Sequence, residues 1–344
     1  MQFFPESVII KPDPPSSGLR RNRPETENAM IFLILFAILC LLTLSAAFLI
    51  FRLTLYSPNK SQNDDHTLYD SDQIRPYRAK VLTMIDELNA IPFETHTIRS
   101  FDGLTLYGRY YHQTDGAPLA ICFHGYRGTP SRDFSGGIRI YREQGFNILM
   151  AEQRGHKRSE GHRITLGVKE RQDCLDWVRY AAAHFGENTP IVLGGISMGA
   201  ATVLMASALD LPGNVKGIIA DCPFTSPKEI MLKVAGGMGF PRGPVYPFIW
   251  LAARLFGGFS PTAADSREAV KAAKIPILLI HGEADHFVPC GMSREIAAAA
   301  PEKIAFHTFP DAGHGLSFLT DPQRYQQIVT DFLDRVLTFA DHEP

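Results

Sequence analysis

The sequence predicts an α/β domain, a mostly parallel sheet with helices on both faces, preceded by a separate apolar segment. Three observations carry this. Short apolar runs at 118–123, 146–151, 190–194, 215–220, 275–280 and 304–309 recur between stretches with helical spacing, the alternation that builds a parallel sheet buried on both sides. Two runs at its head, 93–99 and 104–111, alternate polar and apolar residues around Asp102-Gly103 and read as a hairpin on an antiparallel edge. The run at 190–194 passes through Gly194-Gly195-Ile196-Ser197-Met198-Gly199 into an Ala-, Leu- and Met-rich helix at 200–209. A serine stands where that strand turns into the helix, and small residues on either side let the chain turn without a clash.

Composition bounds the rest. The chain has 344 residues, 45% hydrophobic and 20% charged, with a net charge of −2, ordinary values for a globular protein. No long basic run supports nucleic-acid binding. The five cysteines, Cys40, Cys122, Cys174, Cys222 and Cys290, are widely spaced without a Cys-x-x-Cys pair. That spacing argues against a zinc site or a disulfide framework. Cys122 and Cys222 lie in or beside apolar runs and read as small core residues.

Taken in order, residues 1–28 are polar and proline-rich and are expected to be disordered. From Met30 to Phe51 there is no charge. At ~1.5 Å per residue this run matches a ~30 Å hydrocarbon core, so 29–52 is expected to be a membrane anchor. A cleaved signal peptide is the rival reading. The run is longer than a usual apolar signal core of ~7–15 residues, and no clear small-x-small site precedes Arg52. Lys11, Arg20, Arg21 and Arg23 before the run outweigh Arg52 and Lys60 just after it, which puts the N-terminus in the cytoplasm and the domain outside. Translation from Met30 would remove the upstream cations, and Arg52, Lys60, Arg75, Arg78 and Lys80 would then argue for a cytoplasmic domain. Residues 53–74 are expected to be a polar linker and 75–340 the domain. The domain opens with Tyr77, Val81, Leu82, Ile85 and Leu88 at helical spacing.

Further helices are expected at 134–144, 166–185, 292–299 and 322–337. Between 223 and 274 the rhythm breaks, with no strand and many aromatics, glycines and prolines. An insertion of this length exceeds an ordinary loop and is expected to be a small helical lid that holds the acyl specificity; packed core covering the sheet is the alternative.

In an open parallel sheet the functional residues collect at the carboxyl ends of the strands. Those ends carry His124-Gly125, Ser197, Asp221, Asp285 and His314. A serine hydroxyl becomes a nucleophile when a histidine takes its proton and a carboxylate holds that histidine. Ser197, Asp285 and His314 follow successive expected strands in that chain order. Asp221 also ends a strand and is the rival acid. Asp311 is too close in sequence to His314 to orient it and reads as a turn residue. His124 reads as part of a loop shaping the site. Arg154, His156 and His162 form no credible metal set, and Arg154 reads as a brace between loops. The backbone N–H of Met198, at the head of a helix, is free to donate to a developing oxyanion.

From about 93 to 337 the chain resembles an α/β-hydrolase of the serine-esterase type. The resemblance rests on His124-Gly125-Tyr126-Arg127-Gly128, Gln153-Arg154-Gly155-His156, Gly195-Ile196-Ser197-Met198-Gly199, His281-Gly282-Glu283-Ala284-Asp285 and Ala312-Gly313-His314-Gly315, in that order. It implies a second oxyanion donor, the backbone N–H of Tyr126. The chain departs from the family at Glu152-Gln153, where the loop usually begins with aspartate. The expected function is a membrane-anchored serine hydrolase, a carboxylesterase forming an acyl-enzyme on Ser197, with no metal or organic cofactor. Its expected partners are a small-molecule acyl ester or lipid-like substrate and the membrane. A peptidase, thioesterase or acyltransferase on the same triad, or a membrane-tethered binding protein of hydrolase fold, are the alternatives. No feature of the sequence bears on oligomeric state.

Overall fold

The computed structural model describes residues 23–57, 65–69 and 71–338. Residues 1–22, most of the segment expected to be disordered, lie outside the described residues, as do 58–64 and 70 of the expected linker. The chain divides into two units, 1–45 and 46–344. The first holds most of helix α1 (Arg23–Ile50). Its large apolar side chains from Met30 to Leu44 are exposed, and the helix is long and apolar enough to cross a membrane. It begins before the charge-free run, so 23–28 are helical where disorder was expected. Once a helix is nucleated, each added residue contributes one hydrogen bond.

The second unit begins with the last turns of α1, which widen into a π-helical segment, Phe51–Leu55. A 3-10 turn, Arg75–Tyr77, leads into α2 (Arg78–Asn89). Then follow β1 (Glu94–Arg99), β2 (Thr105–Tyr111), β3 (Leu119–Phe123), α3 (Pro130–Phe134), α4 (Ile138–Glu143), β4 (Asn147–Glu152), α5 (Glu170–Phe185), β5 (Ile191–Ile196), α6 (Met198–Ala206) and β6 (Val215–Asp221). The insertion comes next, with α7 (Pro227–Gly237), α8 (Arg242–Leu251), a π-helical segment Ala252–Gly257 and α9 (Ser266–Ala272). The chain closes with β7 (Ile277–Gly282), α10 (Cys290–Ala299), β8 (Ile304–Phe309), α11 (Ser317–Thr320) and α12 (Pro322–Thr338).

The eight strands form one sheet in the order β1-β2-β4-β3-β5-β6-β7-β8. β1 and β2 pair antiparallel, β2 meets β4 antiparallel, and every pair from β4 through β8 is parallel. Successive strand residues point to opposite faces, and the two cores show it. Ile121, Phe123, Leu193 and Leu279 pack against Trp177 and Val178 of α5, Val203 and Leu204 of α6, Val270 of α9 and Ile296 of α10. Cys122, Val192, Ile219 and Ile280 face Tyr141 of α4 and Val329, Phe332 and Leu333 of α12.

Two expected helices differ from those observed. The helix expected at 134–144 is split into α3 and α4 by Gly136-Gly137, and a side chain at Gly136 would run into the ring of Phe318. The helix expected from 166 starts at Glu170. Leu166 and Gly167 have positive φ, and the Glu170 carboxylate accepts from the N–H groups of Thr165 and Gly167, at 2.7 and 2.9 Å. The carboxylate thus ties down the turn that precedes the helix, whose N-cap Lys169 has no side-chain capping bond.

Candidate active site

The site is organised by the corner between β5 and α6. Ser197 has φ 55° and ψ −113°, a region that costs a non-glycine residue on the order of 1–3 kcal/mol and persists only where the surroundings over-determine it. They do so here. A Cβ on Gly195 would lie 2.4 Å from the Gly199 carbonyl oxygen, and one on Gly199 would lie 1.8 Å from that of Phe123. Only glycines let helix, strand and turn approach this closely. The Ser197 N–H donates to the Asp221 carbonyl at 2.8 Å, and its own carbonyl accepts from Ala201 N–H at 2.9 Å.

That corner presents Ser197 Oγ to His314 Nε2 at 2.9 Å. His314 Nδ1 donates to Asp285 Oδ2 at 2.7 Å. His314 sits in the loop after β8 and Asp285 in the loop after β7, so three strand ends supply the three groups. Asp285 is buried, and its other oxygen accepts from the N–H groups of Phe287 and Val288 at 2.9 and 2.8 Å. His281 Nε2 lies 3.2 Å from Oδ2. Burial opposes charge on this carboxyl, but hydrogen bonds from His281 and His314 outweigh it and hold its pKa well below the ordinary range. A carboxylate that stays ionised can orient an imidazole and stabilise its protonated form.

Asp221, the rival acid, lines the same cleft as Ser197 and His314 but does not join their hydrogen-bonded chain. It is fully buried, one of its oxygens has no hydrogen-bond partner among the described residues, and burial raises its pKa to about 6. Its contact with the corner is through its backbone carbonyl, and no hydrogen bond joins its carboxyl to His314. Asp311 sits at an exposed turn.

The loop 124–128 lies beside Ser197. Among the described residues, neither Tyr126 N–H nor Met198 N–H has an acceptor. The loop is held from several sides. Asp133 accepts from Gly125 N–H at 2.6 Å, and His156 Nε2 accepts from Arg127 N–H at 3.1 Å. His124 Nε2 accepts from Gln153 N–H at 3.1 Å. Arg127 has φ 50°. Arg154 forks onto Asp173 at 2.6 Å and onto Asp102 at 3.0 Å. It thereby ties the β1–β2 turn to α5 and to the loop after β4. Glu152, the departure from the family, is buried and paired with Arg109 and Arg158.

Ser197 and His314 open onto a cleft of about 870 Å³. Its walls are largely apolar, with Leu68 and Ile74, Met84 of α2, Phe134 of α3, Ile140 and Tyr141 of α4, and Phe318 of α11. Here the structure corrects two expectations. No residue of 223–274 lines the cleft. The apolar side chains of that insertion, among them Ile230, Leu232 and Ile249, are buried against Met205 of α6 and against Phe51 and Leu55 at the base of α1. The cover comes instead from the expected linker. Residues 67–69 and 71–74 line the cleft, with Tyr69 Oη donating to the His314 carbonyl at 3.1 Å and Gln73 Nε2 to the Ala284 carbonyl at 2.9 Å. Leu68 and Ile74 seal it against Val81, Met84 and Leu316. Sequence reasoning missed this strap because its apolar residues are isolated in polar sequence. It also missed Asp133, which carries no motif of its own, and the contact of His281 with Asp285, since His281 reads only as part of a strand-end motif.

The sheet order, the strained serine corner and the hydrogen-bonded chain at three strand ends define an α/β-hydrolase. Residues 132–339 match the prolyl oligopeptidase family, and the chain belongs to that family. Among curated relatives it is 22% identical to YqkD of Bacillus subtilis over 200 residues, 58% of this chain and 66% of that protein. It is 26% identical to Bem46 of Schizosaccharomyces pombe over 248 residues, 70% of this chain and 76% of that one. The chain thus spans just under two thirds of YqkD. The structure resembles the esterase Pf2001 of Pyrococcus furiosus with a TM-score of 0.60 at 22% identity, over 72% of this chain and 93% of that one.

The buried histidines under the loop make a pH prediction. Burial lowers the pKa of His124 to about 4 and of His156 to about 3, and each accepts a backbone N–H through Nε2, which only the neutral ring can do. Their ordinary value is 6.5. The unfolded chain therefore binds more protons below that pH, and the stability these rings contribute, complete above 6.5, is lost as pH falls toward 4. His156→Gln keeps a hydrogen-bond acceptor without the titration. In chemical denaturation from pH 7 to 5, wild type is expected to lose stability relative to this variant by roughly 1 kcal/mol per pH unit. Parallel pH curves for the two proteins would contradict it.

Proposed function

We propose that the protein is a membrane-anchored serine hydrolase that cleaves carboxylic esters of apolar acyl groups. The observation that carries this reading is the chain Ser197–His314–Asp285, opening onto an apolar cleft. In this mechanism His314 Nε2 takes the Ser197 proton as Oγ attacks the ester carbonyl. The tetrahedral oxyanion lies between the N–H groups of Tyr126 and Met198, the latter at the positive end of α6. Asp285, ionised, stabilises the imidazolium. His314 then protonates the departing alkoxide, leaving an acyl-enzyme on Ser197. Water, deprotonated by His314, attacks that carbonyl, and the second intermediate returns Ser197 and the free acid. The reaction as drawn uses no metal or organic cofactor. Esters are favoured over amides because an alkoxide leaves more readily than an amine.

The cleft supports a lipid-like or medium-chain acyl group. Each methylene buried there contributes about 0.8 kcal/mol. With p-nitrophenyl esters, kcat/KM is expected to rise from acetate to octanoate, roughly two- to fourfold per methylene until the cleft is filled. Values flat or falling with chain length would overturn the acyl assignment. Faster turnover of peptide amides than of esters would favour a peptidase, the second reading, which the family match supports.

Helix α1 is the proposed anchor, with the N-terminus cytoplasmic and the hydrolase domain outside. A topology reporter fused after Pro344 is expected to read outside the cytoplasm; a cytoplasmic signal would reverse the orientation.

A further inference from the structure

The base of α1 does more than connect. A helix leaves its last four carbonyls without intrahelical partners, and here most of those carbonyls bond to the site. The Thr54 carbonyl accepts from Tyr126 Oη at 2.6 Å. The Leu53 and Tyr56 carbonyls accept from the Arg127 guanidinium at 2.9 and 3.2 Å. The Leu55 carbonyl accepts from Ile164 N–H at 2.8 Å. A cation at this end also meets the negative pole of the helix.

The residues held this way are the ones that matter to the oxyanion. Tyr126 supplies one of the two unsatisfied N–H groups, and Arg127, next to it, has a strained φ of 50°. Such a conformation persists only while its surroundings hold it. The other donor belongs to Met198. Its side chain is fully buried in the cluster that contains Ala47, Phe51 and Leu55, with Tyr126 packed against the same cluster. The helix base thus holds Tyr126 directly and shares an apolar cluster with Met198. That base is itself pinned to the domain, with Phe48 and Phe51 against Phe256 at 5.2 and 5.9 Å between ring centres, and Ser57 N–H on the His162 carbonyl at 2.9 Å.

We infer that the juncture of the N-terminal helix with the domain, Leu53 to Tyr56, positions the oxyanion hole, with Tyr126 Oη and the Arg127 side chain as positioning groups. The inference rests on the acyl-transfer reading above. The helix sets transition-state stabilisation through two side chains that touch neither Ser197 nor His314 by any hydrogen bond. Oxyanion contacts form in the transition state and not in the bound substrate, so their misplacement lowers kcat and leaves KM nearly unchanged.

The test uses the full chain in detergent micelles, as wild type, Ser197→Ala, Tyr126→Phe and Arg127→Met. Losing a whole oxyanion donor costs about 10²–10³ in kcat, and misplacing one is expected to cost about tenfold in each variant, with KM within about twofold. A trifluoromethyl ketone places an oxyanion in the same hole once Ser197 adds to it. Its inhibition constant is expected to weaken by the same factor as kcat/KM, in variants whose thermal unfolding stays cooperative. Wild-type kcat and inhibition in both variants would overturn the inference. So would a rise in KM at unchanged kcat, which would make these groups part of substrate binding. If a variant unfolds, the milder Arg127→Lys, which keeps the charge on a shorter side chain without the planar guanidinium that reaches the Leu53 and Tyr56 carbonyls, carries the same comparison. Absence of Ser197-dependent hydrolysis in wild type would instead refute the acyl-transfer reading itself.

Discussion

Everything at this site depends on one backbone conformation, the positive φ of Ser197. A corner this tight can exist only where a helix, two strands and a turn approach within the radius of a missing Cβ, which is why Gly195 and Gly199 flank it. The reward for the strain is directional. Oγ points out of the sheet toward His314, and the N–H of Met198 stays free of the helix. Because β5 is central and flanked by β3 and β6, the loop after β3 and the loops after β7 and β8 reach the corner from both sides.

The second constraint is what surrounds the corner. Sequence that precedes the hydrolase domain contributes twice. The base of α1 holds the loop with Tyr126, and Tyr69 and Gln73 of the strap bond to the loops that carry His314 and Asp285. The cleft therefore lies between the domain and its own N-terminal extension. The insertion after β6 serves a different end: it buries the helix base and the outer face of α6. Exposed apolar side chains on it, Met238, Phe240, Trp250 and Leu255, lie on the insertion side and not in the cleft.

How far this was legible in the sequence follows from the physics of each part. The serine corner was legible because steric demand writes glycine at fixed offsets. Asp285 and His314 were legible because parallel strands gather their loops at one edge, so chain order stands for proximity. The Gly136-Gly137 break was present in the sequence and read as helix, since the flanking residues keep helical spacing. The strap was not legible, as its work is done by two apolar side chains and by Tyr69 and Gln73 reaching backbone carbonyls. The hold of the helix base on Tyr126 and Arg127 was less legible still, because its acceptors are backbone carbonyls of Leu53, Thr54 and Tyr56, and any residue carries one. The insertion misled for a related reason: aromatic and glycine-rich composition reports burial against something, without saying what.

The central claim is that Ser197 carries the acyl group. The direct measurement is mass spectrometry of the peptide containing Ser197 after rapid acid quench of the enzyme with p-nitrophenyl octanoate. The account predicts one octanoyl group on Ser197 within the first turnover and none in Ser197→Ala or when Asp285→Asn disarms His314. Ester hydrolysis at the wild-type rate without an adduct on Ser197, or with the acyl group on another residue, would contradict it.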